Sequence, residues 1–531
     1  MIPSACCVPD PYQRQEWGTQ SRDQSGKSSG VTSLCWTLRK GRPVFPPGPP
    51  RAPIVGNLFD IPVDTPWVKF AEWGKVYGDV MYLRVFGRNL LVISSLEAAI
   101  DLFEKRSAIY SDRPKRVMGQ LCGFGPLLIM SKYHQGVRAA RRMLQGQVSV
   151  LGAARHQHLQ EQVAQAFARS NLDEPENFLE NIRSASASEV LSMAYGHQLK
   201  RGNEADDRLL NASKAVMRYL ADSLTPNNYL VDAVPILRFL PKWFPGTNFH
   251  REAEKCRGLL KMMVHDLYDE VVEKMDNGTA STSYVQSVLK EKGGKLSAEE
   301  VNTLKWSAGD LFGAGSETTM ATLENFFLVM TLHPEVQEKA QKELDAIVGN
   351  GRLPTFRDRP YLPYINCIIK EIWRWNTAVP FAGHSLSKDD EYRGYLIPAD
   401  TVVMVNNWAL THNEEWYPDP TAFKPERHMQ PLSGRSSLPQ LPKYPPDPRT
   451  LVFGFGRRNC PGIHLAESFL YIVVVTTLAT FSILPELDAE GNALPPKVEH
   501  LSGAISHPKP YNCRIVPRSP GAAEVLLLAT S

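Results

Sequence analysis

The segment Phe453-Gly454-Phe455-Gly456-Arg457-Arg458-Asn459-Cys460-Pro461-Gly462 concentrates more chemistry than any other in the chain. Its three glycines and one proline make a tight, non-repetitive loop around a single cysteine. Two arginines just before that cysteine would lower its thiol pKa and favour thiolate. An apolar run begins after Pro461, so loop amides and a helix N-terminus would also stabilise negative sulfur. A thiolate on a rigid loop serves as a nucleophile or as a metal ligand, and the loop alone leaves both open.

Two other constellations accompany it. Ala314-Gly315-Ser316-Glu317-Thr318-Thr319 puts two small residues before an acid and a hydroxyl. Small residues let a helix backbone approach a flat partner, and Glu317 with Thr318 could deliver protons. In Glu371-Ile372-Trp373-Arg374 the charges are three apart and share one helix face. Taken alone, that is a surface ion pair of little worth.

The loop matches F-x-x-G-x-R-x-C-x-G at every fixed position: Phe453, Gly456, Arg458, Cys460 and Gly462. In this it resembles the heme-binding loop of the cytochrome P450 family. The 314–319 stretch resembles the family's oxygen-activation motif, with Ala314 and Gly315 against the cofactor. Glu371 and Arg374 resemble its E-x-x-R, and Phe423-Lys424-Pro425-Glu426-Arg427 its P-E-R segment. The resemblance implies heme b with Cys460 as the axial ligand to iron, pushing electron density that favours O–O cleavage. It implies Thr318 and Glu317 as catalytic proton donors, and a structural Glu371–Arg374–Arg427 network. Heme propionates need cations, and Arg458, His384 and Arg141 fit by position. The helix that usually reads W-x-x-x-R carries Val137 at the tryptophan position, with Arg138 and Arg142 as competing neighbours of Arg141. Pocket candidates by family position are residues 115–130 (Val117, Met118, Leu121 and Phe124 among them), then Phe312 and Gly313, the strand from Ala378 to Ala382, and the turn Gly503-Ala504-Ile505.

The implied activity is insertion of one oxygen atom of dioxygen into a hydrophobic small molecule, a secondary metabolite or an aromatic xenobiotic. Electrons would come from NADPH through a membrane-bound reductase. The wording is fungal-type and microsomal, which implies the cytosolic face of the endoplasmic reticulum membrane. A heme-thiolate isomerase or dehydratase is one alternative, disfavoured by the presence of Thr318. A non-catalytic heme-binding scaffold is another, disfavoured by intact Cys460, Thr318 and Glu371.

These groups need a large frame, and the chain supplies one. It has 531 residues, 43% of them hydrophobic and 22% charged, which excludes global disorder and a multi-spanning membrane protein. A net charge of +3 gives no electrostatic case for nucleic acid as a partner. Eight irregularly spaced cysteines without a C-x-x-C pair exclude a disulfide scaffold and a zinc ribbon. Ser297 and Glu300 form a capping-box signature that opens a helix of more than thirty residues, about 50 Å long. Helical spacing recurs over 154–169, 251–275 and 334–348, a hairpin is expected over 79–95, and short strands over 392–405. The apolar run 469–484 carries Thr476, Thr477, Thr480 and Ser482 and reads as a buried core helix rather than a membrane span. The expected architecture is mainly α with a minor β-sheet region, in one large cytochrome P450-type domain. Its parts are a disordered leader without a transmembrane helix (1–42), a Pro-rich hinge (43–58), the catalytic domain (59–518) and a C-terminal tail (519–531). A Pro-rich loop is expected over 431–449. The sequons at Asn211 and Asn277 are read as unused.

Overall fold

Helix α1 (Pro66–Tyr77) leads into strands β1 (Val80–Val85) and β2 (Arg88–Ile93). Their turn is Phe86–Gly87, both at positive φ (46° and 77°), so Arg88 belongs to the strand rather than to the turn. Helices α2 (Gln135–Val148), α3 (Gln157–Asp173), α4 (Phe178–Tyr195), α5 (Arg208–Leu224) and α6 (Asn248–Lys261) follow. Next come the long helix α7 (Ala298–Leu332), α8 (Pro334–Ile347) and α9 (Pro363–Trp375). Strands β3 (Phe381–Ser385) and β4 (Val402–Asn406) precede α10 (Ile463–Thr480). This computed structural model describes residues 44–198, 208–225, 228–429 and 445–530. The expected leader and most of the expected 431–449 loop lie outside the described residues.

The main sheet has the order β1-β2-β4-β3, with β1/β2 and β3/β4 antiparallel and β2/β4 parallel. Residues Phe45–Ser531 form one compact unit, mostly helical with small sheets. The proline-rich lead-in docks on β1: Pro47 C=O accepts the Tyr82 N–H at 2.8 Å. A Cβ at Gly48 would lie 2.1 Å from the Tyr82 carbonyl oxygen, so only glycine fits that approach.

The capping box forms as its spacing predicts. Ser297 Oγ accepts the Glu300 N–H at 3.2 Å, and Glu300 Oε2 accepts the Ser297 N–H at 2.9 Å. Helix α7 then runs α-helical through the glycines for 35 residues. It owes its length to packing, since Phe326, Phe327, Leu328 and Val329 are fully buried against α3, α4 and α10. Helix α10 is long and apolar enough to cross a membrane, yet 72% of it is buried in the protein core. After it, Pro520–Ala529 forms a further helix whose Leu526 joins that core.

Candidate active site

The end of α7's middle and the 453–462 loop face one cavity of about 1120 Å³. Ala314, Gly315 and Thr318 line it from α7; Phe453, Cys460 and Gly462 line it from the loop. The loop is fixed by its own backbone, with Cys460 N–H donating to Phe453 C=O at 2.7 Å. Gly456 (φ +57°) lies against the backbone at Phe103, where a Cβ would sit 1.9 Å from the carbonyl oxygen. Replacing Gly456 with alanine is therefore expected to cost about 2–4 kcal/mol, combining left-handed backbone strain with a backbone clash. Chemical denaturation of the G456A protein checks this, and an unchanged midpoint would contradict it.

The sulfur's electrostatics differ from the sequence reading. Burial pushes the Cys460 thiol up, while the Gly462 N–H bonded to it and the Arg141 guanidinium pull it down. Neither loop arginine is the cation that acts. Arg458 turns away and donates to Ser111 C=O (Nε, 2.8 Å), Leu128 C=O (Nη1, 2.9 Å) and Ser131 C=O (Nη2, 2.6 Å). Arg457 is exposed and stacks over the Tyr133 ring at 5.5 Å. Arg141 instead reaches the loop from α2, donating through Nη2 to Asn459 C=O (2.9 Å) and Asn459 Oδ1 (2.8 Å). Its neighbours Arg138 and Arg142 are exposed, and Val137 is buried as an ordinary core residue.

Among the described residues no group of three His, Cys, Asp or Glu could hold a metal ion. A metal on Cys460 must therefore bring most of its own ligands, as a macrocycle does. The cavity's cations fit heme. Arg113, Arg141 and Arg458 all line it, and none has a carboxylate within ion-pair distance among the described residues. Burial, then Arg458 and Arg141, push the Arg113 guanidinium down to about 9; burial, then Arg141, push Arg458 to about 10. A guanidinium stays protonated at such values, so three positive charges share a site largely withdrawn from water. Arg113 donates through Nη1 to Gly383 C=O, and its Nε is buried without a partner. Two propionates would answer this cluster. Sequence reasoning assigned Arg113 no role, since an arginine before a proline carries no signal of its direction.

His384 also lines the cavity, in β3. It is buried, its ring packs edge-on to Phe103 at 4.4 Å, and its Nδ1 bonds Tyr110 C=O at 2.9 Å. The carbonyl can only accept, so Nδ1 carries the proton and burial holds the ring neutral. Phe453 meets the Trp373 ring edge-on at 5.3 Å. Gly315 has a packing reason beside its cavity position, since a Cβ there would lie 2.8 Å from Val190 of α4.

Thr318 Oγ1 donates to Ala314 C=O at 2.8 Å and faces the cavity. Glu317 does not: its carboxylate faces His507 Nε2 at 3.6 Å, and it lines a small separate pocket with Arg183 and Lys214. Burial pushes its carboxyl up, with His507 opposing. Two buried acids that sequence reasoning passed over do line the cavity. Burial pushes Asp310 up to about 8 while it accepts the Leu128 N–H, and pushes Glu189 up to about 7 beside Gln160.

The pocket candidates divide. Gly313, Ala378, Phe381 and Gly503 to Ile505 line the cavity. Within 115–130 the apolar wall is formed by Leu127 to Met130, as the range allowed, while the named Met118 and Phe124, and Phe312 of α7, are fully buried in the adjoining core instead. The short helix Val117–Cys122 turns its apolar side toward α6, which explains the exchange.

Away from the cavity, Glu371 and Arg374 are completely buried. Arg374 grips the carboxylate with Nε and Nη2, both at 2.8 Å; Arg427 Nε adds a bond at 3.0 Å. His428 Nε2 (2.8 Å) and the Lys424 N–H (2.8 Å) complete the shell, and sequence reasoning had given neither a role in it. Burial pushes Glu371 up, but His428 and Arg374 outweigh it and hold the carboxyl at about 2.

The family model for cytochrome P450 matches residues 46–514. A cytochrome P450 monooxygenase (claR) of Ampulloclitocybe clavipes is 36% identical over 91% of this chain and 88% of its own length. Cytochrome P450 monooxygenase 208 of Postia placenta is 37% identical over 95% of this chain and 97% of its own. A zebra fish cytochrome P450, solved with abiraterone, shares the fold at a TM-score of 0.68 and 20% identity, over 86% of this chain and all of that one. With the cysteine loop, the long helix and the cavity between them arranged as above, and with such relatives along almost its whole length, the chain belongs to the cytochrome P450 family and is a monooxygenase of it.

Proposed function

We propose that the protein oxygenates a hydrophobic small molecule in the 314–460 cavity, using NADPH electrons from a partner reductase. The observation that carries this reading is the convergence of Cys460, Thr318 and three uncompensated arginines on one largely apolar cavity. Heme, when bound, supplies the dioxygen chemistry. Cys460 would ligate its iron, while Arg113, Arg141 and Arg458 would hold its propionates, with His384 beside them. Phe453 and Gly462 shape the thiolate side, and Gly456 fixes the loop. Thr318 presents a hydroxyl on the opposite wall, positioned to pass a proton, whereas Glu317, turned toward His507, stays outside the cavity and takes no step there. Glu371, Arg374 and Arg427 act as structure.

Two surfaces support the partners. Arg457 of the cysteine loop, and Arg138 and Arg142 on the helix whose Arg141 bonds that loop, are exposed and suit an acidic reductase face. Exposed apolar residues flank the cavity mouth: Phe59 and Val63 on one segment, and Ile236, Phe239 and Trp243 beyond cavity-lining Ala233 on the other. A bilayer would cover them, which supports the endoplasmic reticulum membrane as the site of action and membrane-borne substrates. The 59–518 stretch would be the catalytic domain, behind the 43–58 lead-in and before the 519–531 C-terminal segment. A secondary metabolite or an aromatic xenobiotic is the substrate class this reading takes.

The test is reconstitution with reductase and NADPH against a panel of hydrophobic compounds. Product formation that needs both reductase and NADPH supports the reading; product formed without either would sink it. In the same assay, Thr318→Ala is expected to lower product per NADPH consumed by about tenfold or more, with peroxide released instead. Unchanged coupling in T318A would remove Thr318 from the proton path.

A further inference from the structure

The cavity holds a second cationic pair that the heme reading leaves unused. Arg88 opens β2 just past the Phe86–Gly87 turn, and Arg116 directly precedes the helix Val117–Cys122. Both line the cavity. Neither side chain makes an ion pair or hydrogen bond with any described residue. An arginine half-withdrawn from water and left unpaired is costly, so a cavity seldom keeps two without use.

The two cationic groups are separate. Arg113 senses Arg458 and Arg141. Burial depresses the Arg116 guanidinium, Asp232 opposes that, and Arg88 adds to it. Anions seated on the first group would leave the second unanswered. Of the acids on the cavity wall, Asp232 alone opposes the shift of Arg116, and none forms an ion pair with either arginine among the described residues. Asp232 Oδ1 accepts the Met118 N–H at 3.1 Å and forms no ion pair with Arg116. Asp310 is held by the Leu128 N–H, Glu189 by Gln160, and Asp64 is exposed at the mouth. Apolar side chains make up much of the lining of the same cavity, among them Leu128, Met130, Phe381 and Ile505.

We propose that Arg116 and Arg88 form an acid-binding subsite, and that the substrate is an amphipathic carboxylic acid. Its carboxylate is held by the two guanidiniums while its apolar body extends along the cavity toward Ala314 and Thr318. The forked, planar donors of arginine match a carboxylate in two-point fashion. The subsite would fix which end of the molecule stays distant from Cys460, and so direct oxygenation away from the acid group. The inference rests on the monooxygenase reading above and narrows its substrate class.

The test uses ferric holoenzyme and a matched pair of probes, dodecanoate and 1-dodecanol, at neutral pH. Dissociation constants are read by calorimetry, with the Soret perturbation followed in parallel. Wild type is expected to bind dodecanoate at least about tenfold tighter than dodecanol. Arg116→Gln and Arg88→Gln are each expected to weaken dodecanoate about tenfold while leaving dodecanol within about twofold. The reduced carbon monoxide spectrum of every protein is recorded first. Equal affinity of wild type for acid and alcohol, or unchanged dodecanoate affinity in the variants, overturns the subsite and leaves the monooxygenase reading standing. A wild-type protein that takes up heme without a thiolate spectrum overturns that underlying reading instead. Should Arg116→Gln fail to fold, Arg88→Gln and the probe comparison in wild type carry the decision.

Discussion

With Cys460 replaced by alanine, the reduced, carbon monoxide-treated protein is expected to lose the strongly red-shifted Soret band of thiolate-ligated heme, and product formation to fall to background. The size of the effect follows from the site. Burial by itself disfavours the Cys460 thiolate, and only one amide and one guanidinium oppose it. The sulfur is bonded by Gly462 N–H, and among the described residues no imidazole or carboxylate figures in its electrostatics, so no base is placed to activate it. That argues against the nucleophile that the loop alone left open, since nucleophilic cysteines are paired with a base or a strong cation. A metal that binds sulfur directly compensates the burial outright. Alanine keeps the loop's backbone bonds, including Cys460 N–H to Phe453 C=O, so the fold should survive while the ligand is lost. Arg141→Gln offers a graded companion. It removes the cation that favours thiolate and one of three propionate partners, so heme retention should fall without disappearing. A C460A protein that keeps the red-shifted band would sink the ligand assignment.

The contrast between Cys460 and its arginines also marks where sequence reasoning stops. The loop's existence was legible because three glycines, a proline and a cysteine at fixed spacing allow few backbones. Helix α7 was legible from a capping box and sustained apolar spacing, both local properties. The hairpin was legible too, though its turn fell one residue earlier, because Phe86 accepts a positive φ that its type does not advertise. What could not be read was side-chain direction in tertiary space. Arg457 and Arg458 are next to Cys460 in sequence yet point elsewhere, whereas Arg141 comes from a helix more than 300 residues away to act on the same sulfur. Glu317 and Thr318 are adjacent, but on a helix adjacent residues point about 100° apart, so only the threonine faces the cavity. Met118 and Phe312 looked like wall and proved to be core for the same reason: which face of a short element meets the cavity depends on what packs behind it.

Glu371 yields the second large effect, on stability rather than chemistry. Glu371→Gln is expected to destabilise the protein by about 3–5 kcal/mol, the usual consequence of removing one partner of a buried pair. The cost arises on the other side of the bond. Arg374 is fully buried, and its remaining donors already serve Thr411, Pro420 and Ala422 carbonyls, so its charge has nowhere to turn. Arg427 and His428 lose the same acceptor. The neutral amide is nearly isosteric and could still accept one bond, so the effect isolates charge from shape. Arg374→Lys makes the complementary test: it keeps the charge but forfeits the two-point grip and most of the carbonyl bonds, and should also destabilise. The pH dependence has a definite sign. Glu371 is depressed to about 2 in the folded protein, below the unfolded value of about 4.3. Its contribution, roughly 3 kcal/mol, is therefore fully present above about pH 4.5 and lost as pH falls toward 2. Wild type should lose stability steeply across that window, and E371Q should start lower and fall less steeply. Urea unfolding of both proteins from pH 6 down to the lowest pH at which they stay folded measures the difference. Parallel acid limbs would mean that Glu371 does not carry the charge this network is built to hold.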